Sequence, residues 1–100
     1  MKVRFVQAGG FVGAVTGCEL ETAALAPEAA QELKRLVRDS GISVSGQLLS
    51  ESGRDLQEYE IVIEDANRKI SVVFDDLSIP NSARLLLGFV KKYARPMTLN

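Results

Sequence analysis

The sequence predicts an α+β domain of the form ββαββα, with a four-stranded antiparallel sheet and both helices on one face. Two pairs of short alternating apolar stretches supply the strands. Two amphipathic stretches, each opened by a proline, supply the helices. The halves also resemble each other: "APEAAQELKRLV" aligns with "IPNSARLLLGFV", setting Pro27 against Pro80, Leu33 against Leu86 and Val37 against Val90. Hairpins and amphipathic helices hide their apolar faces best by packing together, the helices covering one side of the sheet.

The first strand is read over residues 2–7, "KVRFVQ". Val3 and Phe5 point to one face, and Lys2, Arg4 and Val6 to the other. The glycine-rich segment 9–13 follows, then a second strand over about 14–22 with Thr16, Cys18 and Leu20 on one face. Two strands joined by a short glycine-rich link read as a hairpin. The first helix is expected over 27–39. Pro27 suits its first position, where the missing N–H costs nothing, and Ala30, Leu33, Leu36 and Val37 form its apolar stripe. Ala26 offers no capping oxygen, while Gly41 suits the C-terminal stop.

Residues 41–55 read as the longest irregular stretch, tacked to the core by Ile42, Leu48 and Leu49, with a mobile centre at "SESG". The third strand is expected over 56–64 and the fourth over 69–75. Asp65 and Asn67 bring turn chemistry between them. The second helix is expected over 81–94, ended by Arg95-Pro96. This arrangement leaves one sheet face open, with Arg4, Val6, Glu60, Val62 and Val73 on it.

Composition narrows the function. The chain has 100 residues and a net charge of -1, so one domain is expected over 1–100 and no global field draws nucleic acid or membrane. It has no histidine, which removes the usual base near neutral pH and the commonest metal ligand. One cysteine, Cys18, allows no internal disulfide and fits a reducing, cytoplasmic setting. Its place beside Thr16 and Leu20 reads as a small buried hydrophobe. "AVTGC" at 14–18 loosely matches a lipoprotein processing site, but Arg4, Gln7 and the glycines interrupt the apolar run such a site needs.

Other candidate chemistry reads as structural. "EDA" at 64–66 and "FDDL" at 74–77 lack the spacing of a calcium loop, and are taken as solvated loop acids. Lys91, Lys92 and Arg95 close a helix, where cations suit the dipole, without an aromatic platform for nucleic acid. "GGFVG" does not fit the dinucleotide pattern, because a strand follows it. No catalytic residue, metal or cofactor is expected, and the chain is read as a non-enzyme.

The segment Gly9, Gly10, Phe11, Val12, Gly13 stands out. Closing a tight turn needs one or two glycines, whereas three surround an apolar pair here. A thin backbone lets a partner come close, so the segment reads either as a turn or as a finger anchored by Phe11 and Val12. The open sheet face is the other candidate surface, for a partner or a weak homodimer.

"RFVQAGGFVG" (4–13), "LAPEAAQELKRLV" (25–37) and "YEIVIEDANRKISVVFDD" (59–76), in that order and before a terminal amphipathic helix, resemble the emfourin family. The resemblance runs from Val3 to about Val90, and the strand followed by Gly9, Gly10, Phe11 and Gly13 is its most specific part. The stretch 41–55 departs from it, lacking the aromatic and Leu-Pro usual there. Emfourin inhibits protealysin, a thermolysin-type zinc metallopeptidase. The resemblance therefore implies an inhibitor of such an enzyme. It implies that the 9–13 segment enters the cleft, with Phe11 or Val12 filling the pocket for the residue after the scissile bond.

Overall fold

The computed structural model describes residues 1–9, 15–50 and 56–97. The strands are β1 (Lys2–Gly9), β2 (Thr16–Glu21), β3 (Gly46–Leu48), β4 (Gln57–Asp65), β5 (Arg68–Asp75) and β6 (Arg95–Pro96). The helices are α1 (Pro27–Asp39) and α2 (Arg84–Lys91). The α+β class and the two helices agree with the sequence reading. The sheet does not: it has six strands in the order β3-β5-β4-β1-β2-β6. The four expected strands form its antiparallel centre. β3 adds to one edge in parallel with β5, and β6 adds to the other edge beside β2.

Both additions come from segments without strand patterning. Just before β3, Ser45 Oγ accepts the Ser71 amide at 2.9 Å, and Arg68 Nη2 donates to the Ser43 carbonyl at 3.0 Å. One serine side chain and one backbone carbonyl of "SVSGQ" thus fasten the segment where alternation is missing. Three residues is also a safe length for an edge, because little unpaired backbone is offered to other chains. Ile42 packs on the core as expected, but Leu48 and Leu49 do not: they are 48% and 43% exposed. Most of the expected mobile centre, residues 51–53, lies outside the described residues.

The second helix is shorter than 81–94. A 3-10 turn, Asn81–Ala83, leads into α2, and three i to i−3 bonds follow it, from Lys92, Tyr93 and Ala94 to Phe89, Val90 and Lys91. The winding tightens, then releases Arg95-Pro96 to the sheet edge. α1 matches its expected span, with no side-chain cap at Ala26 and with Gly41 in the left-handed region at φ 75.

The core lies between the helices and one sheet face. Phe5, Phe74, Leu33, Ile61, Leu86, Val3 and Val90 are fully buried there, each contributing about 1.5–3 kcal/mol by leaving water. Register explains the selection: Val3 pairs with Leu20 and Ile63, and Phe5 pairs with Cys18 and Ile61, so one parity of every central strand faces the helices. Among the described residues, no helix is long and apolar enough to cross a membrane.

Candidate functional site

β1 ends at Gly9, and β2 begins after Val15. Of the candidate segment, only Gly9 is described; Gly10, Phe11, Val12 and Gly13 lie outside the described residues. The two feet of the segment are Gly9 and Val15.

Gly9 has φ +90, a conformation side chains resist, and a Cβ there would lie 3.2 Å from the Leu56 carbonyl oxygen. Gln57 holds it: its Nε2 donates to the Gly9 carbonyl at 3.2 Å, while its Oε1 accepts from Gln7 Nε2 at 3.3 Å. Asp76 in turn holds Gln57, accepting the Gln57 amide on Oδ2 at 2.9 Å. The other oxygen of Asp76 accepts the Tyr59 hydroxyl at 2.5 Å. Tyr59 is buried between Phe5 and Phe74. Burial first, and the Asp76 carboxylate second, push its phenol up to about 12. A line of contacts therefore runs from the aromatic core through Asp76 and Gln57 to the first foot.

At the second foot the Val15 carbonyl accepts the Met97 amide at 2.9 Å, which brings β6 onto β2. Gly17 lies next along β2. A Cβ on Gly17 would collide with the Phe5 carbonyl oxygen and Met97 Sδ. Gly9 of the candidate segment and Gly17 of β2 are thus required by the fold itself. Gly9 sets the direction in which the chain leaves β1, and Gly17 lets three strands crowd together.

Asp75 is not the solvated acid that the sequence suggested, while Asp76 is exposed as expected but bonded to Gln57 and Tyr59. Asp75 is buried at 3% exposure. It accepts the Ser50 amide and hydroxyl on Oδ2 at 2.6 and 2.7 Å, and the Leu77 amide and Ser78 hydroxyl on Oδ1 at 2.9 and 3.0 Å. The Ser50 bonds above all hold its carboxyl down to about 2. These acids tie loops to the sheet at the end where the 9–13 segment leaves it. Sequence reasoning missed Gln57, Asp75, Asp76 and Met97 as supports. Each acts on residues far away in the chain, and "FDDL" carries no local sign of which amides it will meet.

The other candidate face is the one turned away from the helices. Arg4 pairs with Glu60 at 3.8 Å across it, and Glu60 also accepts the Ser71 hydroxyl at 3.5 Å. Val62 is only 7% exposed, while Val6 and Val73 are half-buried. Cys18 donates to the Val90 carbonyl at 3.5 Å, and burial raises its thiol pKa against the lowering effect of Arg95.

The family model described as Emfourin matches residues 5–91. No curated protein and no solved structure matches the chain. The matched span runs from the core face of β1, through the candidate segment, to the end of α2.

Proposed function

The chain belongs to the Emfourin family, and from that premise we propose that it is a protein inhibitor of a thermolysin-type zinc metallopeptidase. On this reading residues 1–100 are one domain, located in the cytoplasm, and the 9–13 segment occupies the enzyme's active-site cleft. Phe11 or Val12 fills the apolar pocket beside the scissile position. The inhibitor performs no chemistry and brings no metal or cofactor; it acts by filling the cleft.

The observation that carries the reading is the pinning of both feet. Gly9 is held by Gln57 and through it by Asp76, and Val15 is held by Met97. A segment whose ends are fixed loses less freedom on binding, and that saving appears as affinity. A peptide-like segment that binds an endopeptidase without such support would be held no better than a substrate.

The test is titration of the purified protein against a panel of thermolysin-type peptidases with a peptide substrate, wild type beside Phe11→Ala. Inhibition by the wild type, lost in a variant that melts at the same temperature, supports the reading. Inhibition unchanged by Phe11→Ala and removed by Val73→Lys moves the contact to the open sheet face.

A further inference from the structure

We infer that Leu49 and Leu77 form a second contact on the same peptidase, beside the 9–13 segment. The inference rests on the inhibitor reading above and extends its surface. Of the exposed leucines at one end of the sheet, Leu48, Leu49 and Leu77, it starts from the two beside amides that a buried acid holds. Leu77 is 66% exposed and Leu49 is 43% exposed. They are far apart in sequence, yet one carboxylate holds the backbone of both. Asp75 accepts the Leu77 amide on one oxygen and the amide of Ser50, next to Leu49, on the other. A buried acid thus holds the backbone beside two exposed apolar side chains, neither of which belongs to the core. Apolar groups carried on a held backbone lose less freedom on binding than groups on a loose one.

Topology sets them near the candidate segment. Leu48 pairs with Phe74, Tyr59 pairs with Phe74 and Gln7, and Gly9 pairs with Gln57. The C-terminal ends of β3, β5 and β1 therefore share one end of the sheet. β3 and β1 are three strand spacings apart in the order β3-β5-β4-β1, which is about 14 Å.

Size decides the occupant. A standard protein–protein contact takes about 800 Å² and about 20–30 residues from each partner, a patch about 30 Å across. Five residues, 9–13, supply only a fraction of that. Whatever enzyme receives the segment must rest on its surroundings, and the leucine pair falls inside that footprint. Leu49 and Leu77 lie on the β5 and β3 side of the segment's first foot. The contact therefore extends toward β5 and β3, onto an apolar part of the enzyme surface beside its cleft.

The experiment measures inhibition constants and melting temperatures for wild type, Leu77→Asp, Leu49→Asp and Leu85→Asp. Leu85 is a matched control: it is 73% exposed, but on α2. Each charge at 49 or 77 is expected to weaken inhibition at least about 10-fold, because a carboxylate is desolvated against apolar surface. Leu85→Asp is expected to change nothing, and none of the three should move the melting temperature by more than a few degrees. Wild-type inhibition that Leu77→Asp and Leu49→Asp leave intact overturns this inference and spares the inhibitor reading. Equal losses in all three variants also overturn it, by showing a general charge effect. A wild type that inhibits none of the enzymes overturns the inhibitor reading and this inference with it.

Discussion

The two hairpins of the antiparallel centre, one in each half of the chain, solve the same problem differently. In the second half Asp65 pairs with Arg68, and only residues 66 and 67 lie between them. In the first half Gln7 pairs with Thr16, leaving residues 8–15 between. Both hairpins are antiparallel, both bury one face under a helix, and β1 also pairs with β4. The short link shows what hairpin closure in this fold requires. The long link exceeds it, and the excess includes the glycine-rich segment. Its feet are nevertheless fastened by Gln57 and Met97, although a link needed only to join strands requires no such fastening.

The strongest way to break this comparison is to give the first half a short link. Residues 10–14 replaced by Asn-Gly keep both feet, and loop shortening of this size changes closure entropy by well under about 1 kcal/mol. The expected protein is folded, with a melting temperature within about 5 °C of wild type. Its inhibition of a thermolysin-type peptidase is expected to fall at least about 100-fold, as when the central anchors of an interface are removed. Circular dichroism and the inhibition assay read the two halves of the claim. A variant that fails to fold would show that the long link is structural after all.

A second change sharpens the comparison at the feet. Gly17 has no counterpart in β5, because β5 carries Val72 and Val73 where its pairing is ordinary. At Gly17 a Cβ would meet the Phe5 carbonyl and Met97 Sδ. The thioether is flexible and can move, but the carbonyl belongs to a central strand and cannot. Gly17→Ala is expected to cost about 2–3 kcal/mol, in the range of overpacking, with β6 released from its edge. Urea denaturation measures the loss, and amide exchange at Met97 reports the release. A neutral result would mean that β1 and β2 separate easily, and that the second foot is loosely held.

Much of the antiparallel centre was legible because it depends on local signals. Val3 and Phe5, Tyr59 and Ile61, and Ile70 to Phe74 alternate as half-buried strands do, and Pro27 with Gly41 brackets α1. The edges were not legible. β3 follows a serine-rich segment fastened through Ser43 and Ser45, and β6 is the Arg95-Pro96 dipeptide captured by β2. Neither has a period, since both are strands only through what they pair with. The site divides the same way. The excess of glycines marked the segment, but its supports come from Gln57, Asp76 and Met97. No pattern at those positions announces a role at residue 9 or 15.

The smallest effect lies in the short link itself. Asp65 and Asn67 look like the turn formers, yet Ala66 takes the left-handed conformation, at φ 50. A non-glycine residue there costs about 1–2 kcal/mol, because its Cβ crowds the following carbonyl. Glycine removes that strain but adds freedom to the unfolded chain, worth about 0.4–1 kcal/mol in the other direction. Ala66→Gly is therefore expected to stabilise the protein by about 0.5 kcal/mol and leave inhibition unchanged. The gain should appear as a small rise in the urea midpoint at constant slope. A loss instead would mean that Ala66 relaxes its strain through the neighbouring turn. The second link would then tolerate its geometry for a reason that its length alone does not supply.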